Sequence, residues 1–225
     1  AMKNLLFVGF IIVAICSCNR NEEKVSTGVP ESLEASQDSY GSVRSRLDSI
    51  LETKPNDVGL ILERANLALK YYDYASAYSD AAKAFRLDSS NVDTRLVYAL
   101  SIINQANRSV SSIRRAQRYL EIVIAAAPNN PKAMVGLANT YALQQDFDNA
   151  GLWIDNALQV SPKFFDAHVL KGSMFKVLAA ALSGEEGSEK LSQAYMDSAI
   201  QAYSRVSQYY PNKAEIYLEL GILFQ

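Results

Sequence analysis

Histidine is nearly absent from this chain of 225 residues: His168 is the single one. No Ser-His or Cys-His arrangement for nucleophilic catalysis can be assembled around it, because it falls on the inward stripe of a helical pattern, where a lone histidine packs. There are two cysteines, Cys16 and Cys18, so the chain after residue 18 carries no disulfide whatever its redox compartment. Glycine is scarce, with 10 residues and no Gly-rich phosphate loop. Neither charge dominates: 22 basic side chains face 24 acidic ones, which argues against a nucleic-acid binder and its strongly basic face. The carboxylate pair Glu185-Glu186 sits between Gly184 and Gly187 and reads as a solvated turn. The chain is therefore read as a non-enzyme with no cofactor and no metal.

Long apolar runs are also missing, apart from Leu5 to Ile15 behind Met2 and Lys3. As a helix those eleven residues would reach roughly 16 Å, about half the hydrocarbon thickness, so the run is too short to span. Length and flanks fit the apolar core of a secretory signal. The run ends in Ile15-Cys16-Ser17-Cys18, and a polar stretch follows. This segment resembles a bacterial lipoprotein signal, in which a small residue precedes the modified cysteine. Ser17-Cys18 fits that pattern better than Ile15-Cys16. The resemblance implies a signal peptide over 1–17, an acylated Cys18 and a membrane anchor that does not cross the bilayer. A plain secretory signal is one alternative. A C-x-C metal pair is another, and two thiols without nearby His make a poor zinc site. Residues 18–37 read as a flexible tether. Asn19, where an inner-membrane retention signal has Asp, favours the outer membrane. Glu22 and Glu23 resemble an acidic surface-export tag of some Bacteroidota lipoproteins. Periplasmic and surface-facing placements both stay open.

The rest of the chain carries a ruler. Pro55, Ser89, Pro128, Pro162 and Pro211 are spaced 34, 39, 34 and 49 residues apart, and each follows an Ala-rich helical pattern. A period in this range predicts stacked helical hairpins and not a globule around one closed core. The third unit is the cleanest. Met134, Leu137, Ala138 and Tyr141 form one apolar stripe, Gln145-Asp146-Phe147 a turn, and Ala150, Ile154, Ala157 and Leu158 a second stripe that stops at Ser161-Pro162.

Those residues resemble a tetratricopeptide repeat. The first full unit matches through Ala65, Asp73-Tyr74, Ala77, Ala81 and Ala84; the second through Ala99, Ile102, Ala116, Leu120 and Pro128; the fourth through Gly172, Phe175, Ala199, Tyr203 and Pro211. The resemblance implies an all-α, right-handed superhelical solenoid, with a helix over 38–54, repeats over 58–91, 92–130, 131–164 and 165–213, and a partial repeat over 214–225. Five extra residues of the second unit are placed around Asn107 to Ser112. Fifteen extra residues of the fourth are expected to lengthen both its helices by about two turns around Ser183 to Gly187. Arg64 and Lys171 stand where the family has Leu, and Arg95 where it has a large aromatic; their stems are expected to lie on apolar surface with the charge in water. The fresh repeat helix from Glu215 to Gln225 reads as awaiting a partner helix, as in a fragment of a longer array.

The resemblance also implies a protein- or peptide-binding face on the first helices. On this chain that face comprises Leu62, Asn66, Leu69 and Lys70, then Leu96, Leu100, Ile103 and Asn104, then Lys132, Val135, Asn139 and Leu143, then Asp166, Val169, Ser173 and Lys176. Amides interleaved with aliphatics suit an extended peptide. Leu62 stands where the carboxylate-clamp subtype needs Lys, so a chaperone-tail partner is not expected. Arg108, Arg114, Arg115 and Arg118 concentrate charge near the second unit's insertion, as a solvated face or a site for an anionic partner. The functional expectation is a lipid-anchored interaction scaffold of the bacterial envelope, or the adaptor portion of a longer regulatory or enzymatic protein.

Overall fold

The computed structural model describes residues 31–223, and every element within them is a helix: α1 (Glu31–Thr53), α2 (Val58–Lys70), α3 (Tyr74–Leu87), α4 (Val92–Ile103), α5 (Val110–Ala126), α6 (Pro131–Leu143), α7 (Phe147–Val160), α8 (Phe165–Leu182), α9 (Glu189–Tyr209) and α10 (Ala214–Leu223). The expected signal peptide, Cys18 and the expected tether as far as residue 30 lie outside the described residues. The last stretch of the expected tether, 31–37, is helical, so α1 begins seven residues before position 38. Its Glu31-Ser32-Leu33-Glu34-Ala35 start is polar, which reads as linker, but Glu, Leu and Ala are strong helix formers.

The ruler marks are helix stops. Pro55, Ser89, Pro128, Pro162 and Pro211 each stand two residues beyond the last residue of α1, α3, α5, α7 and α9. Proline disfavours the helical conformation in the residue before it and lacks the N–H a helix needs. Starts are equally local. Asp57, Asp73, Asn91, Asn130 and Asp146 each accept a hydrogen bond from a backbone N–H of the first turn through the side chain. Such caps satisfy donors that the helix itself leaves orphaned.

Turn length explains the spacing. The two 34-residue units join helices of 13 and 14 residues by a three-residue turn, with Tyr72 (φ 62°) and Gln145 (φ 63°) in the left-handed region. In the second unit the turn is 104–109 and α5 runs to 17 residues. Beyond a three-residue turn the extra residues therefore begin at 107, and part of them extends α5, because Val110-Ser111-Ser112 already belongs to the helix behind the Ser109 cap. In the fourth unit α8 and α9 reach 18 and 21 residues around a turn whose Gly184 (φ 89°) and Gly187 (φ 83°) take the left-handed conformations.

Packing divides the described residues into two compact parts, 31–119 and 120–223. In the first, α1 packs on α2, α2 on α3 and α4, and α3 on α4. Leu51, Ile61, Ala65, Ala81, Ala84 and Val97 form its core, and the rings of Phe85, Tyr98 and Tyr119 cluster beside it. In the second, α6 packs on α7 and α8, α7 on α8, α8 on α9, and α9 on α10. Fully buried Ala138, Ala150 and Ala157 let its helices approach, and Ile154, Met174 and Trp153 fill the space around them.

Candidate functional site

Two rows of first-helix side chains make up the candidate surface, one row in each part. On α2, Asn66 and Leu69 are half-buried, Lys70 is exposed and Leu62 is buried. On α4, Leu100 and the capping Asn104 are half-buried, whereas Leu96 and Ile103 belong to the interior. Both amides are oriented by their own helix: Asn66 Nδ2 donates to the Leu62 carbonyl and Asn104 Nδ2 to the Leu100 carbonyl, each at 2.9 Å. That leaves each Oδ1 as an acceptor. Lys70 Nζ sits 5.5 Å from the centre of the Tyr71 ring, so the cation is already part-engaged.

In the second part, α6 presents Val135, Asn139 and Leu143 half-buried at i, i+4 and i+8, with Lys132 exposed at the head of the row. Among the described residues no hydrogen bond is made by the Asn139 side chain. Lys132 also lines a wide-open cleft of about 630 Å³ together with Pro128, Asn130, Pro131 and Phe164.

The α8 positions are different, because neighbouring helices occupy them. Ser173 is buried with its hydroxyl 2.9 Å from the Tyr203 hydroxyl. Lys176 Nζ meets Glu219 of α10 at 2.5 Å with both side chains largely shielded. Val169 packs on the Tyr203, Val206 and Ile216 cluster. Asp166 still reaches solvent, yet protein packed around it pushes its carboxyl above the ordinary carboxylate range, against the pull of Lys132 and Lys213. The row's open stretch in this part is therefore on α6.

Ion pairs account for charges that sequence reasoning left in water. Arg64 donates to Asp80 through Nε at 2.7 Å and Nη2 at 2.6 Å, and to Asp48 through Nη1 at 2.5 Å. Lys171 Nζ pairs with Asp155 at 2.7 Å. The expectation of a solvated charge fails for Arg64, whereas the Lys171 pair stays exposed to water; in both cases the preceding repeat's second helix supplies a carboxylate 16 residues upstream, Asp48 for Arg64 and Asp155 for Lys171. That spacing was the available signal. Bonds to Asp80 lead the causes that raise the Arg64 pKa, outweighing burial. At the α2–α3 turn, Tyr40 and Arg44 both donate to Asp73 Oδ2, at 2.8 and 2.6 Å. Burial works to raise the Asp73 carboxyl, but hydrogen bonds from Ser76, Tyr40 and Arg44 outweigh it and hold the pKa down to about 2. Arg95 donates to the Ser89 carbonyl at 2.7 Å.

His168 is buried, its Nε2 2.9 Å from the Pro162 carbonyl and its ring beside Tyr209. Glu185 and Glu186 are exposed in their turn. Among the described residues no group of three or more His, Cys, Asp or Glu side chains is placed to hold a metal ion, and no helix is long and apolar enough to cross a membrane.

Comparison with known proteins agrees with the helix-pair architecture. Residues 98–175 match the family model of the second ARM domain of tetratricopeptide repeat protein 21. No curated protein matches the chain. Among solved structures, a human IFIT1 dimer with m7Gppp-AAAA superposes with a TM-score of 0.68 at 17% identity, over 82% of this chain and 41% of that one. The chain thus spans less than half the length of that protein. A tetratricopeptide repeat protein from Parabacteroides merdae gives 0.62 at 18% identity, covering 86% and 68% of the two chains. A thermophilic tetratricopeptide protein of Thermus thermophilus gives 0.60 at 15% identity, covering 86% and 94%. These likenesses show an all-α fold of tetratricopeptide helix pairs.

Proposed function

We propose that this solenoid is a membrane-anchored adaptor of the bacterial cell envelope, held by an acylated Cys18 at the outer membrane, that captures a protein or peptide on its first helices. The observation that carries the reading is the α6 row. Half-buried Val135 and Leu143 offer apolar contact, and Asn139 between them has an amide uncommitted among the described residues, at a spacing of about 6 Å per step. The orientation of Asn66 and Asn104 supports the same reading on α2 and α4, where each Oδ1 can accept from a ligand N–H. The long α8–α9 hairpin, with Leu191 half-exposed near its tip, is a second partner contact.

Capture is tested with a photo-crosslinker placed at Asn139 and, for comparison, at Leu152, an exposed position of the second helix α7. The expected result is a crosslinked partner at position 139 and none at 152, with capture lost in Asn139→Arg at unchanged helicity. Equal crosslinking at both positions, or full capture by Asn139→Arg, refutes the α6 surface. Deleting residues 181–189 should release a subset of partners; an unchanged set removes the hairpin from the proposal. The anchor has its own test: Cys18→Ala should abolish acyl labelling and membrane retention, and labelling that persists overturns the assignment.

A further inference from the structure

From residue 94 to residue 120 the chain has no carboxylate, yet Arg95, Arg108, Arg114, Arg115 and Arg118 all fall there. The imbalance is local, since the other 17 basic residues share the chain with 24 acidic ones. Helix α5 turns this composition into a surface. Arg114 and Arg118 are both exposed and stand one turn apart, a rise of about 6 Å. Val110, 61% exposed, sits one turn before Arg114 on the same ladder. Arg108 leads into the helix and donates to the Gln105 carbonyl at 2.7 Å.

Elsewhere several partly shielded cations meet carboxylates: Arg44, Arg64, Lys171 and Lys176 each form an ion pair. Among the described residues Arg95, Arg114, Arg115 and Arg118 form none of these pairs. Arg115 adds an independent observation. Its side chain turns inward beside Tyr98, and its Nε is buried without an acceptor. The guanidinium therefore adds positive charge beneath the exposed pair, and the first carboxylate that follows on the helix is Glu121.

We propose that this face of α5 lies against an anionic phospholipid surface. The outer side of a helix is convex and cannot enclose a small anion, whereas a plane of phosphates meets successive arginines without enclosure. Guanidinium groups bond phosphate oxygens bidentately, and an exposed aliphatic such as Val110 suits the headgroup boundary. Long-range attraction needs only the local charge excess. The contact is independent of the N-terminal anchor, and it orients the first compact part relative to the bilayer.

The test uses the full chain with Cys18→Ser, so that no acyl chain contributes, and vesicles of phosphatidylcholine with or without about 30 mol% phosphatidylglycerol. The N-terminal apolar run acts on both vesicle types, so the ratio of the two partition coefficients is the readout. Each arginine near an anionic surface contributes roughly fivefold. Arg114→Gln with Arg118→Gln should therefore lower the ratio by roughly 25-fold, while the double Lys variant keeps most of it. Neutralising exposed Lys190 and Arg205 should leave it unchanged. Unaltered circular dichroism is expected in every variant, because these side chains are exposed. A ratio near one for the unsubstituted face overturns the proposal, as does an equal loss in the Lys190 and Arg205 control. Release by inorganic phosphate beyond the effect of chloride at matched ionic strength would mean an ion site instead. Retention on polyglutamate without vesicle binding would mean an acidic protein partner, and either result refutes a lipid surface.

Discussion

A methyl group added at Gly172 separates two opposed effects of known sign. Gly172 lies in the middle of α8, where replacing glycine by alanine favours the helix by about 1 kcal/mol. Its Cβ would, however, lie 2.7, 2.8 and 2.9 Å from three atoms of the Tyr203 ring. That ring has nowhere to go: Tyr203 is fully buried and its hydroxyl is bound to Ser173. Overpacking of this kind costs about 1–3 kcal/mol, so Gly172→Ala should destabilise by about 1 kcal/mol net. Gly151 in α7 is the internal control, because its Cβ would meet a single atom, Met174 Cε, at 3.9 Å. Gly151→Ala should stabilise by up to about 1 kcal/mol. Urea unfolding followed by circular dichroism at matched slopes reads both. Replacing Tyr203 by Leu should cost stability alone, yet remove most of the Gly172→Ala penalty when the two are combined, a coupling that a double-mutant cycle isolates. If Gly172→Ala stabilises as much as Gly151→Ala, the close contact between α8 and α9 is not what sets this position.

Arg64→Met removes the partner of Asp80, a buried carboxylate whose side chain is 10% exposed; the expected loss is about 3 kcal/mol, and adding Asp80→Leu should recover most of it. Asp73→Asn retains a side-chain acceptor for the α3 cap but loses the charge facing Arg44. The Asp73 pKa is lowered to about 2, so its contribution is present above the ordinary carboxylate range and lost as pH falls from about 4 through 2. The variant should therefore be less stable than the parent at pH 7, and most of that gap should close by pH 2 in pH-dependent thermal melts; an undiminished gap at pH 2 contradicts the ionised contact.

Much of the fold was legible because its determinants are local. Stops two residues before each ruler mark, Asp or Asn caps and alanines at helical spacing act within one or two turns, so the repeat could be counted from the chain. Legibility fell where a residue's fate depends on another helix. Arg64 and Lys171 looked like anomalies in the repeat pattern, and the carboxylates that hold them stand 16 residues away across a helix crossing. The start of α1 was misplaced because polarity marked 31–37 as linker although its residues favour a helix.

The candidate surface divides along the same line. The family resemblance read in the sequence picked out Leu62, Asn66, Val135, Asn139, Val169 and Ser173, and the 3.6-residue repeat of an α-helix puts those on any one helix on a shared side. Only the tertiary structure decided which of them remain open. Val135 and Asn139 stay half-exposed on α6, whereas α9 and α10 cover Ser173, Lys176 and Val169. The reason is physical: accessibility depends on what packs from other helices, and residue spacing along one helix carries no record of that.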